Sequence, residues 1–440
     1  MKCSEAVRVV ITGTGVISPL GCNASDLIAG LRNGSSGVTD FSRIPKGALS
    51  VDYGAEVKSF TGAIEDYGTL DKQLQKSIRK GSKLMCREIE MGVAAAQLAI
   101  SDSGLVPEVR QSHRTGVVFG CDYIMTLPDE FASGISNCLG ESGDFVFKDW
   151  ATKGLPRVNP LWLLKYLPNM PASHVAIYND FRGPNNSITL REASPAAALW
   201  EAYSTLCRGH ADVLVVGATG SRIQPFRSMH ASMQEMLARI DGEGDLADMK
   251  KVSRPFASDR RGCVLGEGAA ALILETERHA EGRGARVIGE VLGGGSSAVS
   301  PNFGSGYLRL SLINAIRMAT RGRDLSGIGH VNAHGLGTLI SDQEEAIAIA
   351  EVFSDDKPGI PVTSVKGHIG NLGAGGGMVE IVASIQALGG ELFPTLNCEN
   401  PDRACPVNVV NKRGVEAGDS FVSVNVTPQG QASAIHIKKK

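Results

Sequence analysis

The sequence is poor in aromatic residues and in net charge, and it has no long apolar run. Only 5% of its 440 residues are aromatic, and 44 basic residues nearly balance 46 acidic ones, which leaves a formal charge of −2. This balance predicts no general attraction to nucleic acid or to an anionic membrane surface. No apolar run approaches the roughly 20 residues that span a bilayer. No secretory segment precedes the first predicted strand, so we expect a cytoplasmic protein.

The cysteines and histidines also lack the spacings that mark metal sites. Nine cysteines are scattered along the chain without a Cys-x-x-Cys pair, which is more typical of reduced, buried thiols than of disulfides. The glycine-rich segments Gly13–Gly21 and Gly370–Gly377 match neither a dinucleotide-binding fingerprint nor a phosphate loop. We therefore expect neither a metal nor a cofactor.

What the sequence does contain is a regular alternation of short apolar runs and helical patterns. Strands are predicted at Val7–Thr12, Arg114–Gly120 and Asp212–Gly217, and helices at Met85–Ser103 and Ala193–Arg208. With 42% hydrophobic and 20% charged residues, such a chain can bury a large aliphatic core. Alternation of this kind predicts an α/β fold with mainly parallel sheets.

The second half of the chain repeats the pattern of the first. Each half ends in what resembles a hairpin, at Gly262–Glu275 and at Phe421–Lys438. A long-period duplication is therefore predicted, with halves at residues 1–275 and 276–440. The polar, irregular segment Asn137–Val158 has no counterpart and is predicted to be an excursion from the first half.

Five segments, in their order and spacing, identify a family. They are Val9–Val38, Asn159–Asn185, Ser253–Glu275, Val331–Glu345 and Ser364–Gly377. On these segments the chain resembles the elongating β-ketoacyl-[acyl-carrier-protein] synthases of the thiolase-like superfamily, nearly from end to end. The resemblance implies a thiolase-like fold, with two duplicated halves in α-β-α-β-α layers and a five-stranded mixed sheet in each half. It also implies a dimer with a large apolar two-fold interface.

The chemistry of that family requires a cysteine thiolate, which is stabilised at the N-terminus of a buried helix. In the family this nucleophile stands eight residues after the Pro of a Gly-Pro pair. Here Gly183-Pro184 places Glu192 at that position, with Arg191 in place of a small residue and Ser194 two residues further on. Because a carboxylate cannot form a stable thioester-like acyl enzyme, the resemblance does not imply ordinary condensation for this chain.

The other catalytic positions of the family are partly kept. His334 matches the first histidine and Lys366 the lysine, whereas the second histidine is replaced by Asn371. An asparagine can still donate to an oxyanion, and the initiating branch of the superfamily uses one. His368 stands three residues too early for the role, and we expect it in a turn or at the surface.

Two further parts of the pattern bear on the site. Asp342 and Glu345 stand where the family has acidic residues, and we expect Lys366 to pair with Glu192 or Glu345. The glycine-rich loop that gates the acyl pocket in the family is replaced by Asn425–Gly430.

These departures leave two functional hypotheses open. Glu192 itself is either a structural carboxylate, or a general base or electrostatic element that acts on a bound thioester. In the first, the protein resembles a chain-length factor, a partner that also lacks the cysteine. It would bind an acyl carrier protein or an acyl thioester as a homodimer, or as a heterodimer with an active ketosynthase. In the second, it is a carrier-protein-dependent decarboxylase, acyl transferase or β-ketoacyl synthase that uses Glu192 with His334, Lys366 and Asn371. A third, weaker possibility is condensation through a remote thiol such as that of Cys121.

A run of basic residues offers a candidate surface for an acidic carrier protein, although a solvated helix face would have the same composition. The residues are Lys72, Lys76, Arg79, Lys80 and Lys83.

Overall fold

The computed structural model describes residues 7–240 and 248–440. Its strands are β1 (Val9–Ile17), β2 (Thr39–Asp40), β3 (Tyr53–Gly54), β4 (Thr115–Cys121), β5 (Asn185–Thr189), β6 (Val213–Ser221), β7 (Glu267–Thr276), β8 (Gly289–Ala298), β9 (His330–Asn332), β10 (Pro361–Thr363), β11 (Asn408–Val409), β12 (Ser420–Val426) and β13 (Gln431–Lys438). Its α-helices are α1 (Ala24–Arg32), α2 (Lys72–Gly81), α3 (Arg87–Asp102), α4 (Asp129–Ser136), α5 (Met170–Asn179), α6 (Ser194–Cys207), α7 (Pro225–Gln234), α8 (Glu277–Gly282), α9 (Tyr307–Ala319), α10 (Leu339–Phe353), α11 (Lys366–Ile369) and α12 (Ala374–Ala387).

Eleven of the described strands form one continuous sheet with the same topology on its two sides. The order is β11-β10-β9-β12-β13-β8-β1-β7-β6-β4-β5. On one side, β5, β4 and β6 are parallel to one another, β7 is antiparallel to β6, and β1 is antiparallel to β7. On the other side, β10, β9 and β12 are parallel to one another, β13 is antiparallel to β12, and β8 is antiparallel to β13. The sides join where β1 pairs with β8 over three residues, so the two similar halves share one core.

Helices cover the sheet in three layers. Helix α3 packs on β1, β6 and β7, and α9 packs on β8 and β13. Helices α6 and α12 contact strands of both halves and therefore lie between them. A helix that is apolar on nearly every face belongs in a core, and almost all of α12 is buried. The α-β-α-β-α arrangement predicted from the sequence is confirmed.

The structure differs from the sequence prediction at two places in the first half. Strand β1 continues through Gly13 and Gly15 to Ile17, beyond the strand end predicted at Thr12. These glycines let α3 approach, because a Cβ on Gly15 would lie 2.1 Å from the Ala95 carbonyl oxygen. The predicted hairpin at Gly262–Glu275 is wrong, since this segment supplies the single strand β7, which pairs with β1 and β6. The hairpin predicted at Phe421–Lys438 is confirmed as β12 and β13.

The segment predicted as an excursion, Asn137–Val158, follows α4 directly and contains a series of single helical turns. Its Trp150 ring lies 6.4 Å from the ring of Phe131 on α4, which in turn lies 4.8 Å from that of Trp162. Across the residues described, no helix combines the length and the apolar character needed to cross a membrane.

Candidate active site

Glu192 lies in a single helical turn, Arg191–Ala193, that leads directly into α6. The Ser194 hydroxyl accepts a hydrogen bond from the Leu190 amide at 2.8 Å and donates one to the Cys121 carbonyl at 3.0 Å. These bonds fasten the start of α6 to the end of β4. The Glu192 side chain is therefore held, 2% exposed, at the amino end of a helix in the middle layer, where the sequence predicts the nucleophile position.

Three side chains surround the Glu192 carboxylate. Arg222, which follows β6 and is fully buried, forms an ion pair with one carboxylate oxygen. The Asn371 amide donates to the same oxygen at 3.3 Å. The Nε atom of Arg191 lies 3.4 Å from the other oxygen.

A second buried carboxylate, Glu235, completes the group. It lies 2.6 Å from Arg222 and 2.9 Å from Arg191, and it accepts from the Asn371 amide at 3.3 Å. Burial alone would raise the pKa of Glu235, but the two guanidinium groups hold it below its usual range. We call Arg191, Glu192, Arg222, Glu235 and Asn371 the ion cluster. Its two cations and two anions compensate one another, which is the condition for keeping charges away from water.

His334 lies on the loop after β9, and its position is fixed through the backbone. Its amide donates to Glu345 at 2.6 Å, and the next amide, of Gly335, donates to the other Glu345 oxygen at 2.8 Å. Burial, followed by the nearby positive charges, lowers the pKa of the His334 imidazole well below its usual range. The Asn425 amide lies 3.3 Å from Nδ1 and can donate to it, which assigns the proton of the neutral ring to Nε2.

Asp342 and Glu345 act as supports of this loop. Asp342 accepts from the amides of Phe256 at 2.9 Å and Gly337 at 3.0 Å. Burial raises the pKa of Asp342 to about 6 and that of Glu345 to about 8. Both carboxyls are thus bound by backbone amides, and the amide of His334 is one of them.

Lys366 pairs with a residue that the sequence analysis missed. Its ammonium lies 2.5 Å from Glu380 on α12, so the predicted pairing with Glu192 or Glu345 is wrong. Glu380 also accepts from the Asn425 amide at 2.7 Å. Asn425 therefore connects His334 to the Lys366–Glu380 pair. The i,i+14 spacing of Lys366 and Glu380 gave no local signal, because the two residues lie on different helices.

Two other predictions from the sequence are corrected or weakened. His368 is fully buried, with its ring nitrogens 2.8 Å from the Ser35 carbonyl and 2.9 Å from the Pro394 carbonyl; the predicted turn or surface position is wrong. Cys121 is buried, and burial, followed by the charge of Glu88, raises its pKa well above the usual value. A protonated, enclosed thiol is a poor nucleophile.

The structure thus brings Glu192 and Asn371 into direct contact, and it links His334 to Lys366 through two intermediaries. Arg222, which pairs with Glu192, and Glu235, which shares Arg222 and Asn371 with it, were not predicted. Each is one of many charged residues in the sequence, and only the fold shows that they meet.

Comparison of the sequence with protein families gives two matches. Residues 6–280 match the model of the β-ketoacyl synthase N-terminal domain, and residues 309–399 match that of the C-terminal domain. Two similar curated proteins are both 3-oxoacyl-[acyl-carrier-protein] synthase 2. The Staphylococcus aureus (strain MRSA252) protein is 28% identical and covers 99% of each chain. The Synechocystis protein is 30% identical and covers 92% of this chain and 91% of its own.

Solved structures give the same result for the fold. One chain from the complex of a type II polyketide acyl-carrier protein with its hexaketide-bound ketosynthase superposes with a TM-score of 0.80 at 22% identity, over 99% of this chain and 100% of that one. The ishigamide ketosynthase/chain length factor gives 0.79 at 23%, with the same coverage. At these identities the likeness establishes the fold, and the predicted thiolase-like class is confirmed.

Proposed function

The chain belongs to the β-ketoacyl synthase family of fatty-acid and polyketide synthesis, and we propose that it acts there without cysteine-dependent condensation, as a partner subunit that resembles a chain-length factor. The observation that carries this proposal is the state of Glu192. Its carboxylate is buried at the amino end of α6 and is bound by Arg222 and Asn371. The position that would hold an acyl group is therefore filled by an ion pair.

Two chemical arguments favour this proposal over a covalent role for Glu192. An acyl group on a carboxylate would be an anhydride, which water hydrolyses readily. In addition, acylation would remove one of the two anions that compensate Arg191 and Arg222, and the uncompensated positive charge that remains would be unfavourable in a buried site.

We propose an acyl carrier protein as one partner, and the basic face of α2 supports it. Lys72, Lys76, Arg79 and Lys80 project from this helix, and Lys83 follows it. None of the five forms an ion pair with any residue that the structure describes, and all are partly or fully exposed. Unpaired charges of one sign favour an acidic partner and speed its association.

A second ketosynthase-type subunit is the other proposed partner. Among the strands of the described residues, β5 is outermost in the sheet, with β4 as its one neighbour. Exposed apolar side chains lie on the excursion nearby in the chain, among them Phe147 at 77% exposure and Leu155 at 52%. An open strand edge and an exposed apolar surface both favour association. Both a homodimer and a heterodimer with an active ketosynthase satisfy this reasoning.

Co-expression with candidate active ketosynthases tests the partner role. We expect native mass spectrometry to detect a heterodimer, and the chain length of the product to change when this protein is present. Phe147→Glu should weaken the pairing at least about tenfold, since it places a charge in an apolar interface. Phe303→Glu, at a site that is 64% exposed in the second half, is the matched control. A protein that stays a homodimer and changes no product would contradict the proposal.

The alternative, a decarboxylase or a non-covalent acyl transferase, is favoured by one observation. His334 is neutral, and its Nε2 proton is available to an oxyanion. In decarboxylation of a malonyl thioester, the bond to the carboxylate breaks and its electron pair passes to the thioester oxygen, which this donor would stabilise.

Mass spectrometry of malonyl- and acyl-carrier protein after incubation separates the two functions. Conversion of malonyl to acetyl thioester that is lost in Glu192→Ala and His334→Ala would support the enzyme. Conversion unaffected by both substitutions would exclude it, and no conversion by the wild type favours the partner role.

A further inference from the structure

An apolar groove lies beside the ion cluster. Its volume is about 320 Å³, and its lining includes Met236, Leu336, Leu339, Ile340, Val426 and Pro428. One wall is the segment that ends α7, including Gln234 and Glu235, and the opposite wall is the end of β12 with the turn that follows it. Glu235 belongs both to this groove and to the ion cluster, so the inner end of the groove meets the candidate active site.

Arg191 binds both walls of the groove at that inner end. One terminal nitrogen of its guanidinium donates to the Gln234 side chain at 2.8 Å and to the Gln429 side chain at 3.1 Å. The other donates to Glu235 at 2.9 Å. Gln429 lies on the turn between β12 and β13, so a single side chain joins α7 to that turn across the passage toward Glu192.

We propose that Arg191 is a latch that closes the passage between the apolar groove and Glu192, and that an acyl thioester lying in the groove reaches the buried site only when this latch opens. The inference deepens the proposed function, because it concerns access to the same site. It does not depend on whether the site is catalytic.

Arg222 and Asn371 hold the two carboxylates when the latch opens. When Arg191 swings away, Glu192 and Glu235 both keep Arg222 and the Asn371 amide. One buried cation then serves two carboxylates, so opening costs part of the charge compensation and the closed latch is the stable state. Arg222, in contrast, has no exposed surface and cannot leave without breaking the cluster.

The backbone of Arg191 adds a second reason for movement. Its φ angle is +52°, in the left-handed region that a residue with a side chain keeps only when its surroundings hold it there. The bonds of the guanidinium to Gln234, Glu235 and Gln429 provide that restraint. Loss of these bonds removes the reason for the strained turn, so opening of the latch and relaxation of the turn favour one another.

The rate of reaction of an introduced thiol measures the opening directly. In the full-length chain, Glu192→Cys places a thiol behind the latch, and intact mass spectrometry follows its alkylation by iodoacetamide relative to the wild type. We expect slow labelling, and an increase of about tenfold when Gln429→Ala is added, as the loss of one hydrogen bond to a charged group implies. Gln73→Ala, an exposed glutamine on α2, is the matched control and should leave the rate unchanged. Equal rates with and without Gln429→Ala would overturn the proposal.

A second measurement leaves Glu192 in place, and it decides the matter if the Glu192→Cys protein does not fold. Hydrogen exchange of Gln429→Ala should be faster than that of the wild type both in residues 190–194 and in residues 426–430. Faster exchange confined to residues 426–430 would overturn the latch, because it would show no coupling across the passage. Neither readout involves product formation or pairing, so failure of the latch and failure of the partner role are separate results.

Discussion

The ion cluster around Glu192 and the loop around His334 are neighbours in the candidate active site, but their buried carboxyl groups are held in different ways. Glu192 and Glu235 are held by side chains that come from distant parts of the chain; Asn371, for example, is 179 residues from Glu192. Glu345 is held by two backbone amides within its own segment, 11 residues away or fewer.

This difference separates what each region can do. Amide-bound carboxyls fix the path of a loop and leave the His334 side chain neutral and able to donate. The ion cluster uses every one of its charged side chains to satisfy another, and it leaves none for chemistry. The loop therefore keeps a side chain that is free to donate a hydrogen bond, whereas the ion cluster occupies the nucleophile position with side chains that bind one another.

The largest effect should come from removing the cation that both carboxylates of the ion cluster share. Arg222→Met leaves Glu192 and Glu235 with Arg191 alone, and we expect a loss of about 3–5 kcal/mol in the free energy of unfolding. Denaturation in guanidinium chloride measures it. Adding Glu192→Gln restores the balance of charge and should recover about half of that loss.

Arg182→Met is the matched control for this prediction. Its ion pair with Asp180 is at the surface, with side chains 70% and 61% exposed, and its loss should leave the free energy of unfolding almost unchanged. A cost for Arg222→Met no larger than that of the control would mean that the cluster does not hold the fold.

The Lys366–Glu380 pair extends the comparison to the His334 region. Lys366→Met leaves one carboxylate without a cation, with the Asn425 amide still bound to it, so we expect a smaller loss of about 3 kcal/mol. Lys366→Met with Glu380→Gln should recover most of the loss. Lys438→Met breaks a lysine–glutamate pair whose lysine is 43% exposed and should cost about 1 kcal/mol at most. Equal losses at the two lysines would contradict the prediction.

How well the sequence predicts each region of this site depends on whether the residues in contact are close together in the chain. The count from Gly183-Pro184 to Glu192, and the spacing of His334 and Glu345, are local and survive in the fold. Arg222, Glu235 and Glu380 contact their partners only after the two half-sheets enclose α6 and α12. No local pattern distinguishes them from the chain's other charged residues, and Lys366 was accordingly given the wrong partner.

His368 was misjudged for a related reason. A polar residue in a glycine-rich segment is usually solvated, and nothing nearby in the sequence shows that two distant carbonyl groups lie within hydrogen-bond distance of its ring nitrogens. The fold class, in contrast, depends on patterns that repeat along the whole chain, and its prediction was correct.

The pH dependence of stability should distinguish the amide-bound carboxyl. Burial raises the pKa of Glu345 from 4.5 to about 8, so between these values the folded chain holds a proton that the unfolded chain has released. The contribution of the protonated Glu345 carboxyl to the stability of the fold is fully present below pH 4.5 and is lost as the pH rises toward 8. Glu345→Gln has no such proton to release. Its free energy of unfolding should therefore fall with pH less steeply than that of the wild type, and the two slopes should differ by about 1.4 kcal/mol per pH unit.

The comparison for this prediction is one of slopes, measured by denaturation at several pH values between 5 and 7.5. The absolute stability of Glu345→Gln should be lower at each pH, since its amide NH₂ group faces a backbone amide. Glu351→Gln, on the same helix with a side chain 49% exposed, should keep the slope of the wild type. Parallel curves for the wild type and Glu345→Gln would contradict the assignment.

The smallest effect concerns the thiol at the edge of the ion cluster. Cys263 donates to Glu235 at 3.3 Å, and burial keeps its proton in place by raising its pKa. Cys263→Ser retains a donor, whereas Cys263→Ala loses one, so the alanine variant should be less stable than the serine variant by about 1 kcal/mol.

Cys138 is equally buried, but its side chain makes no hydrogen bond within the described part of the chain. There the order should reverse, because an unpartnered buried hydroxyl is unfavourable. Thermal denaturation of the four variants decides the point, and the same order at both positions would show that the thiol of Cys263 contributes only by packing.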